Sequence, residues 1–361
     1  MSRKWIAKYG GIVIGGLYGL ILRFIYGFRA DYDTEYYKFL KSWESNYPYL
    51  EYKAWNSVDI FSLTFIWIVP AVISIIPFIF SINEKLNDKG IRLIRPLLSI
   101  FSFFVFCFVT SIEQPICIII MALPFLFVCV ITYYLFGWLF KKYKGRKGLY
   151  SILFLPFFTT FLENRLPVQI SSGYYGTTTS INIEATKENI WQNIIRVDSI
   201  KNEEYSTGIL NLAGIPRPLY AELDKDTLHG TRIGHFEGGL RFKEKIISIQ
   251  NNKSISFDIK IIPSHESKTI FESHMLNDKH FKFLNATYHL TEIDQNNIEL
   301  RLTTNYFLRT KMNFYGNFWG NILLQDFQQR LLEVIKNRCE NKTTHIARTE
   351  SPFLLGDFEL H

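Results

Sequence analysis

The sequence predicts two structural units in one chain of 361 residues. The first is an α-helical membrane domain of about four spans, and the second an α+β domain in which a curved antiparallel sheet meets a long C-terminal helix. Three observations carry this. Runs such as Val58 to Ile82 and Ile116 to Phe140 are apolar over the roughly 20 residues that a helix needs to cross about 30 Å of hydrocarbon. From Thr177 onward, apolar residues instead fall at every second position in short segments separated by turn residues. An apolar stripe at helical spacing then returns near the C-terminus.

The spans fall at Trp5 to Phe28, Val58 to Ile82, Pro96 to Ile112 and Ile116 to Phe140. Only Glu113, Gln114 and Pro115 separate the last two, which requires a tight helical hairpin, with Pro115 suited to the first turn of the second helix. Leu149 to Leu162 is nearly all apolar, but a straight α-helix of about 14 residues rises only ~21 Å. Pro156 also interrupts it. An interfacial or docking helix is expected there, with a fifth span as the alternative. The chain then divides into a transmembrane domain (1–148), an interfacial helix and linker (149–176), the α+β domain (177–341) and a flexible tail (342–361).

The formal net charge is +7, which raises the question of a nucleic-acid partner. Residues 1–148 hold 17 of the Lys and Arg against 9 acids, so the surplus lies wholly in that half. With no basic excess to neutralise phosphates, the second half is not expected to bind nucleic acid. In the first half, 12 Lys and Arg occupy the N-terminus, the loop near Lys85 to Arg95 and the run Lys141 to Lys147, against 4 in the loop 29–57. Short basic loops stay in the cytoplasm. With four spans, the N-terminus and the α+β domain are both expected at the cytoplasmic face of a cell (inner) membrane.

Gly11, Gly15 and Gly19 recur every four residues and open a groove on the first span. It allows close approach of another span, within the chain or in a homo-oligomer. Arg23 is costly in an apolar helix and needs a partner. Asp59 and Glu113 lie at the same end of their spans, so an intramembrane ion pair with one of them is expected. The loop 29–57 is rich in Tyr and Trp, which favour the headgroup layer.

Cys107, Cys117 and Cys129 sit inside apolar runs, and no CxxC spacing occurs. His265, His274 and His280 lack an HxH or HExxH arrangement, so no metal is expected. Nor is there a glycine-rich phosphate loop or a nucleophile elbow. No cofactor is expected.

In the second half, Ser180 to Glu184 alternates as a strand, and Thr186 can cap a helix whose stripe is Ile190, Trp191, Ile194 and Ile195. Alternating runs follow at Tyr220–Leu223, Thr231–Phe236, Leu240–Ile249, Ser254–Ile262, Ile270–Leu276, Phe281–Thr291 and Ile298–Leu308. A helix from about Tyr315 to Arg338 closes the domain, with Trp319, Leu323, Phe327, Leu331 and Val334 on one face.

The segments SINIEATKENIWQNI (Ser180–Ile194), GIPRPLYAEL (Gly214–Leu223), GTRIGHFEGGLRFKEKI (Gly230–Ile246), YHLTEI (Tyr288–Ile293), and the stretch from LTTNY (Leu302–Tyr306) to FWGNILLQDFQQRLLEVIKNRCE (Phe318–Glu340) resemble the SRPBCC superfamily. That superfamily includes START-like lipid-binding domains and the polyketide cyclase/dehydrase group. The resemblance covers roughly residues 177–340 and implies a helix-grip fold with a cavity between the sheet and the last helix. No catalytic motif of the superfamily maps onto these residues, so no catalytic residue is assigned.

Candidates to line such a cavity are Phe236, Phe242, Phe257, Phe271, Tyr288, Tyr306, Trp319 and Phe327. The polar candidates are His235, Glu244, His289 and Arg301, which together with His274 could supply acid, base or orienting groups if they converge. The expected function is a membrane-anchored START-like module binding a hydrophobic small molecule or lipid. The alternatives are an enzyme acting on a hydrophobic substrate in the same cavity, and a membrane scaffold with a filled core.

Overall fold

The computed structural model describes residues 9–25, 62–80, 89–142, 149–165, 171–208, 211, 214–262 and 281–340. Asp59, the loop 29–57, Phe271 with the strand expected at Ile270–Leu276, the three histidines His265, His274 and His280, and the tail lie outside the described residues.

Apolar residues that no strand claims are gathered into five helices packed side by side. These are α1 (Tyr9–Ile25), α2 (Val69–Phe80, entered through a π-helical turn at Thr64–Ile68), α3 (Lys89–Val109), α4 (Pro115–Lys142) and α5 (Leu155–Arg165, entered through a 3-10 segment at Leu149–Phe154). Among the described residues one segment, Pro115–Leu135, is long and apolar enough by length and composition to cross a membrane; the other four apolar helices are shorter.

The glycines of α1 are filled from within the chain. A Cβ on Gly15 would stand 2.1 Å from Ser99 Oγ, and one on Gly19 would stand 2.5 Å from Ile73 Cδ1. The backbones therefore meet closely enough for Ser99 Oγ to lie 3.1 Å from the Ile73 carbonyl and 3.3 Å from that of Ile12. Arg23, at the far end of α1, donates from Nε to the Glu113 carboxylate, and both side chains are buried. The pairing gives the guanidinium the partner that its burial requires, and removing either member would leave the other as an uncompensated buried charge.

The segment from Leu149 onward docks along the bundle. Ile152 packs against Ile75, Phe78 and Ile79 at the C-terminal end of α2. Eleven residues later the Glu163 carboxylate accepts from the backbone N–H groups of Leu63 and Thr64 at its N-terminal end, at 2.9 and 3.0 Å. The helix thus runs antiparallel to α2 along its full length. Two features missed in the sequence make this reach possible. Six residues are wound as a 3-10 helix, which rises about 2.0 Å per residue, and with the α-helical turns the segment covers roughly 28 Å. Pro156 sits in the first turn of α5, where its missing N–H costs nothing. As a consequence, the bundle has five members rather than four, and the α+β domain lies at the end opposite the N-terminus.

That domain begins with β1 (Ser171–Glu184), which starts in the stretch expected to be linker. Then come α6 (Lys187–Ile195), β2 (Pro218–Leu223), β3 (Thr231–Phe236), β4 (Arg241–Gln250), β5 (Ser254–Ile262), β6 (Phe281–Asp294), β7 (Asn297–Thr310) and α7 (Asn313–Cys339). Thr186 caps α6 by accepting from the Asn189 N–H at 3.4 Å, and the stripe Ile190, Trp191, Ile194 and Ile195 is buried. The strands form one curled antiparallel sheet in the order β1-β7-β6-β5-β4-β3-β2. Asn252 and Asn296, both at positive φ, turn the β4–β5 and β6–β7 hairpins, as suits a residue that tolerates the left-handed region.

Helix α7 crosses the concave face over β1 and β7. Gln328 anchors it there: its side chain is fully buried, donating to Thr304 Oγ1 at 2.9 Å and the Thr177 carbonyl at 3.3 Å, and accepting from Thr179 Oγ1 at 2.8 Å. A buried amide with every group engaged fixes the register of helix on sheet. The curled sheet and the helix it grips fit the helix-grip architecture.

Candidate ligand-binding cavity

The sheet curls away from α7 on the β2–β6 side, and the two do not close completely. The space left has about 210 Å³ of room for the centres of water molecules, against roughly 10–15 Å³ for a void that holds one water. It is therefore far larger than a packing defect. Its wall is mostly aliphatic and aromatic.

Of the aromatic residues singled out in the sequence, Phe236, Phe242, Tyr288, Trp319 and Phe327 face the cavity, and so do His235 and Glu244. Phe236 stands edge-on to Phe242 with centroids at 4.9 Å and lies 5.9 Å from Phe327 across the gap between sheet and helix. The others lie elsewhere. Phe257 is buried beneath the Arg232 guanidinium, whose Cζ is 4.1 Å from the ring centroid. Tyr306 is wholly buried where β7 meets α7, with its hydroxyl donating to Asn317 Oδ1 at 2.9 Å. His289 and Arg301 sit opposite one another in the β6–β7 register, on the face turned away from the helix. There His289 Nδ1 lies 3.2 Å from the Thr291 hydroxyl, and Arg301 pairs with Glu299 at 2.8 Å. The cause is the pleat: if Tyr288 and Leu302 point inward, His289 and Arg301 must point outward.

Arg232 is the polar residue that the sequence reading passed over. It shares the inward parity of Gly234 and Phe236 on β3, so period-two alternation was the available signal. Its Nε donates to the Glu244 carboxylate, its Nη1 to the Ile194 carbonyl at 2.6 Å, and its guanidinium lies over Phe257 and, at 5.8 Å, Tyr288. Burial would lower the Arg232 pKa, but Glu244 and Tyr288 together offset this and hold it above its usual value. Burial pushes the Tyr288 hydroxyl up in turn. The Arg232–Glu244 pair is thus a hydrogen-bonded, buried floor for the cavity.

Two buried polar atoms are left over, one on the gripping face of α7 and one on β3. Trp319 Nε1 and His235 Nε2 are buried and lack a hydrogen-bond partner among the described residues. The imidazole is stacked on Tyr220 at 4.2 Å, with Nε2 3.9 Å from Glu222 Oε2, too far for a hydrogen bond. Buried polar groups of this kind are costly unless something completes them. An apolar cavity with a few unsatisfied polar atoms is the usual make-up of a small-molecule site. No cluster of three or more metal-ligating side chains occurs among the described residues.

One lining residue comes from the other unit. Ile120, in the second turn of α4, faces the same space as Tyr315, Gly316 and Trp319 of α7, and the Tyr315 hydroxyl donates to the Ile120 carbonyl. Ile66, Met312 and Tyr315 pack together at this junction. Nothing in the sequence pattern connects a membrane-type helix with a strand–helix cavity nearly 200 residues later, so this contact was not legible there.

No family model matches the chain, and no curated protein matches it. Among solved structures, it is similar to norcoclaurine synthase from Thalictrum flavum, with 13% identity over 47% of this chain and 95% of that one, at a TM-score of 0.30. An uncharacterised protein from Rhizobium leguminosarum gives 12% over 48% and 99%, at 0.32. The Aha1 protein from Colwellia psychrerythraea gives 14% over 46% and 96%, at 0.27. Similarity at these scores carries no argument about what this chain does, and the architecture stands on its own sheet order and helix placement.

Proposed function

We propose that this chain is a membrane-anchored START-like module that binds a hydrophobic small molecule or lipid in the cavity between its sheet and α7. The observation that carries this reading is the cavity itself: an apolar space of about 210 Å³ whose wall includes Trp319, with a buried Nε1 that has no hydrogen-bond partner among the described residues. A ligand with a long apolar body and one polar group would fill the space and pack against the Trp319 indole. The anchor is the five-helix bundle, whose outer surface carries exposed Phe101, Phe108, Leu123, Phe127 and Leu135, an arrangement that suits hydrocarbon and not water.

Trp319 is the residue whose role is most easily separated from simple packing. Its indole is half-buried on the gripping face of α7 and lines the cavity. Trp319→Ala should strip co-purifying ligand from the protein while lowering thermal stability only modestly. A Trp that served packing alone would give the reverse, an unchanged ligand load with a loss on the order of 3 to 5 kcal/mol. Lipid extraction and thermal unfolding on the same preparation distinguish the two.

A further inference from the structure

We propose that the cavity fills sideways from the bilayer, through the junction of α4 with the first turns of α7, and that its ligand is therefore a membrane lipid. The inference rests on the binding role proposed above and adds the route and the class of ligand.

Three independent features meet at that junction. First, the cavity wall is completed there by Ile120, which belongs to the longest apolar helix of the bundle, so the space reaches the level of the helices. Second, the closure is made by a few side chains. It consists of the packing of Ile66, Met312 and Tyr315 against Ile120 and of the hydrogen bond from the Tyr315 hydroxyl to the Ile120 carbonyl, beside the small Gly316, where a Cβ would approach Leu308 at 3.4 Å, an ordinary contact. Third, Phe314, Phe318 and Ile322 form a stripe along the outer flank of α7, and they are 71%, 49% and 36% exposed. A spacing of four residues puts them on one face. Lys311, two residues before α7, is paired with Glu163 near the end of α5, so the start of α7 lies against that end of the bundle. A helix lying with such a face in the headgroup layer would bring its other face, and with it the mouth of the cavity, to the acyl-chain boundary. A water-soluble ligand has no need of an entrance bordered by a membrane helix; a lipid chain leaving the bilayer does.

The test uses the full chain in lipid nanodiscs that contain a phosphatidylcholine with a photoactivatable diazirine at the end of one acyl chain, followed by peptide mapping. Lateral entry is expected to label the deep wall at Phe242 and Leu331, and that label should be lost in Phe318→Glu, which puts a charge on the outer face of α7 outside the cavity wall, while an environment-sensitive naphthalene dye still fills the cavity. Phe314→Glu, one turn earlier on the same outer face, should give the same loss and guards against a folding defect peculiar to one variant. Label restricted to the bundle and to Phe314, Phe318 and Ile322, with normal dye uptake, would overturn the route and leave the cavity a site for soluble apolar molecules. Absence of both deep label and dye uptake would overturn the binding role as well.

Discussion

Alkaline phosphatase joined after residue 175 is expected to be active outside the cytoplasm of a bacterial host, whereas the same enzyme joined after residue 148 is expected to be silent. The contrast follows from one element. Residues 149 to 165 run the length of α2, from Ile152 beside Ile79 to the Glu163 carboxylate on the N–H groups that open α2. If α1 to α4 cross a bilayer, α5 crosses with them. On that count of crossings, the sequence puts the 12 basic residues of the N-terminus, the loop near Lys85 to Arg95 and the run from Lys141 on one side of the bilayer, and the α+β domain on the other. Since Lys and Arg hold short loops in the cytoplasm, the domain should face outward. This reverses the side expected from four spans. Activity after residue 148 and none after residue 175 would restore the cytoplasmic placement and would show that α5 is bundled without crossing.

The second large effect concerns Arg232. Its guanidinium is engaged by Glu244, the Ile194 carbonyl and the rings of Phe257 and Tyr288, and its side chain is only 6% exposed. Arg232→Met leaves the Glu244 carboxylate buried without its partner, and the expected loss of stability is about 3–5 kcal/mol. Arg232→Met combined with Glu244→Leu removes both charges and should recover most of it, since an apolar pair of similar volume avoids the desolvation penalty. Tryptophan-monitored unfolding in detergent measures both variants. A single variant that costs no more than about 0.5 kcal/mol, the range of an ordinary surface substitution, would mean that the pair is solvated and not a structural floor.

These effects also mark what the sequence could and could not reveal. The alternation from Tyr220 to Leu308 was enough to place β2 to β7, because strand faces repeat every two residues whatever the tertiary context, whereas only Ser180–Glu184 of β1 was legible. The same alternation placed Phe236, Phe242 and Tyr288 on the concave face. It was not used for the polar residues, which were chosen by type, so the outward-facing His289 and Arg301 were included and Arg232 was missed. Tyr306 and Phe257 share the inward parity but lie where α7 or Arg232 covers them, and only the packing of helix on sheet distinguishes covered wall from open wall. The reach of the fifth helix was underestimated for a different reason. A length rule written for α-helical rise undercounts a segment that spends six residues as 3-10 helix. Ile120 was out of reach altogether, since its part in the cavity depends on how two sequence-distant units dock.

The central claim is that the space under α7 holds an apolar ligand. Native mass spectrometry of the detergent-solubilised full chain, beside an Ala286→Phe variant, tests it most directly. Ala286 faces the cavity from β6 and is 8% exposed, so a phenyl ring there occupies the volume that a ligand would need. The wild-type chain should carry an extractable lipid-sized mass that survives removal of the lipids held loosely by the bundle, and Ala286→Phe should run as the bare chain with its secondary structure intact. A bare wild-type chain, or an adduct that the added ring leaves unchanged, would contradict the claim.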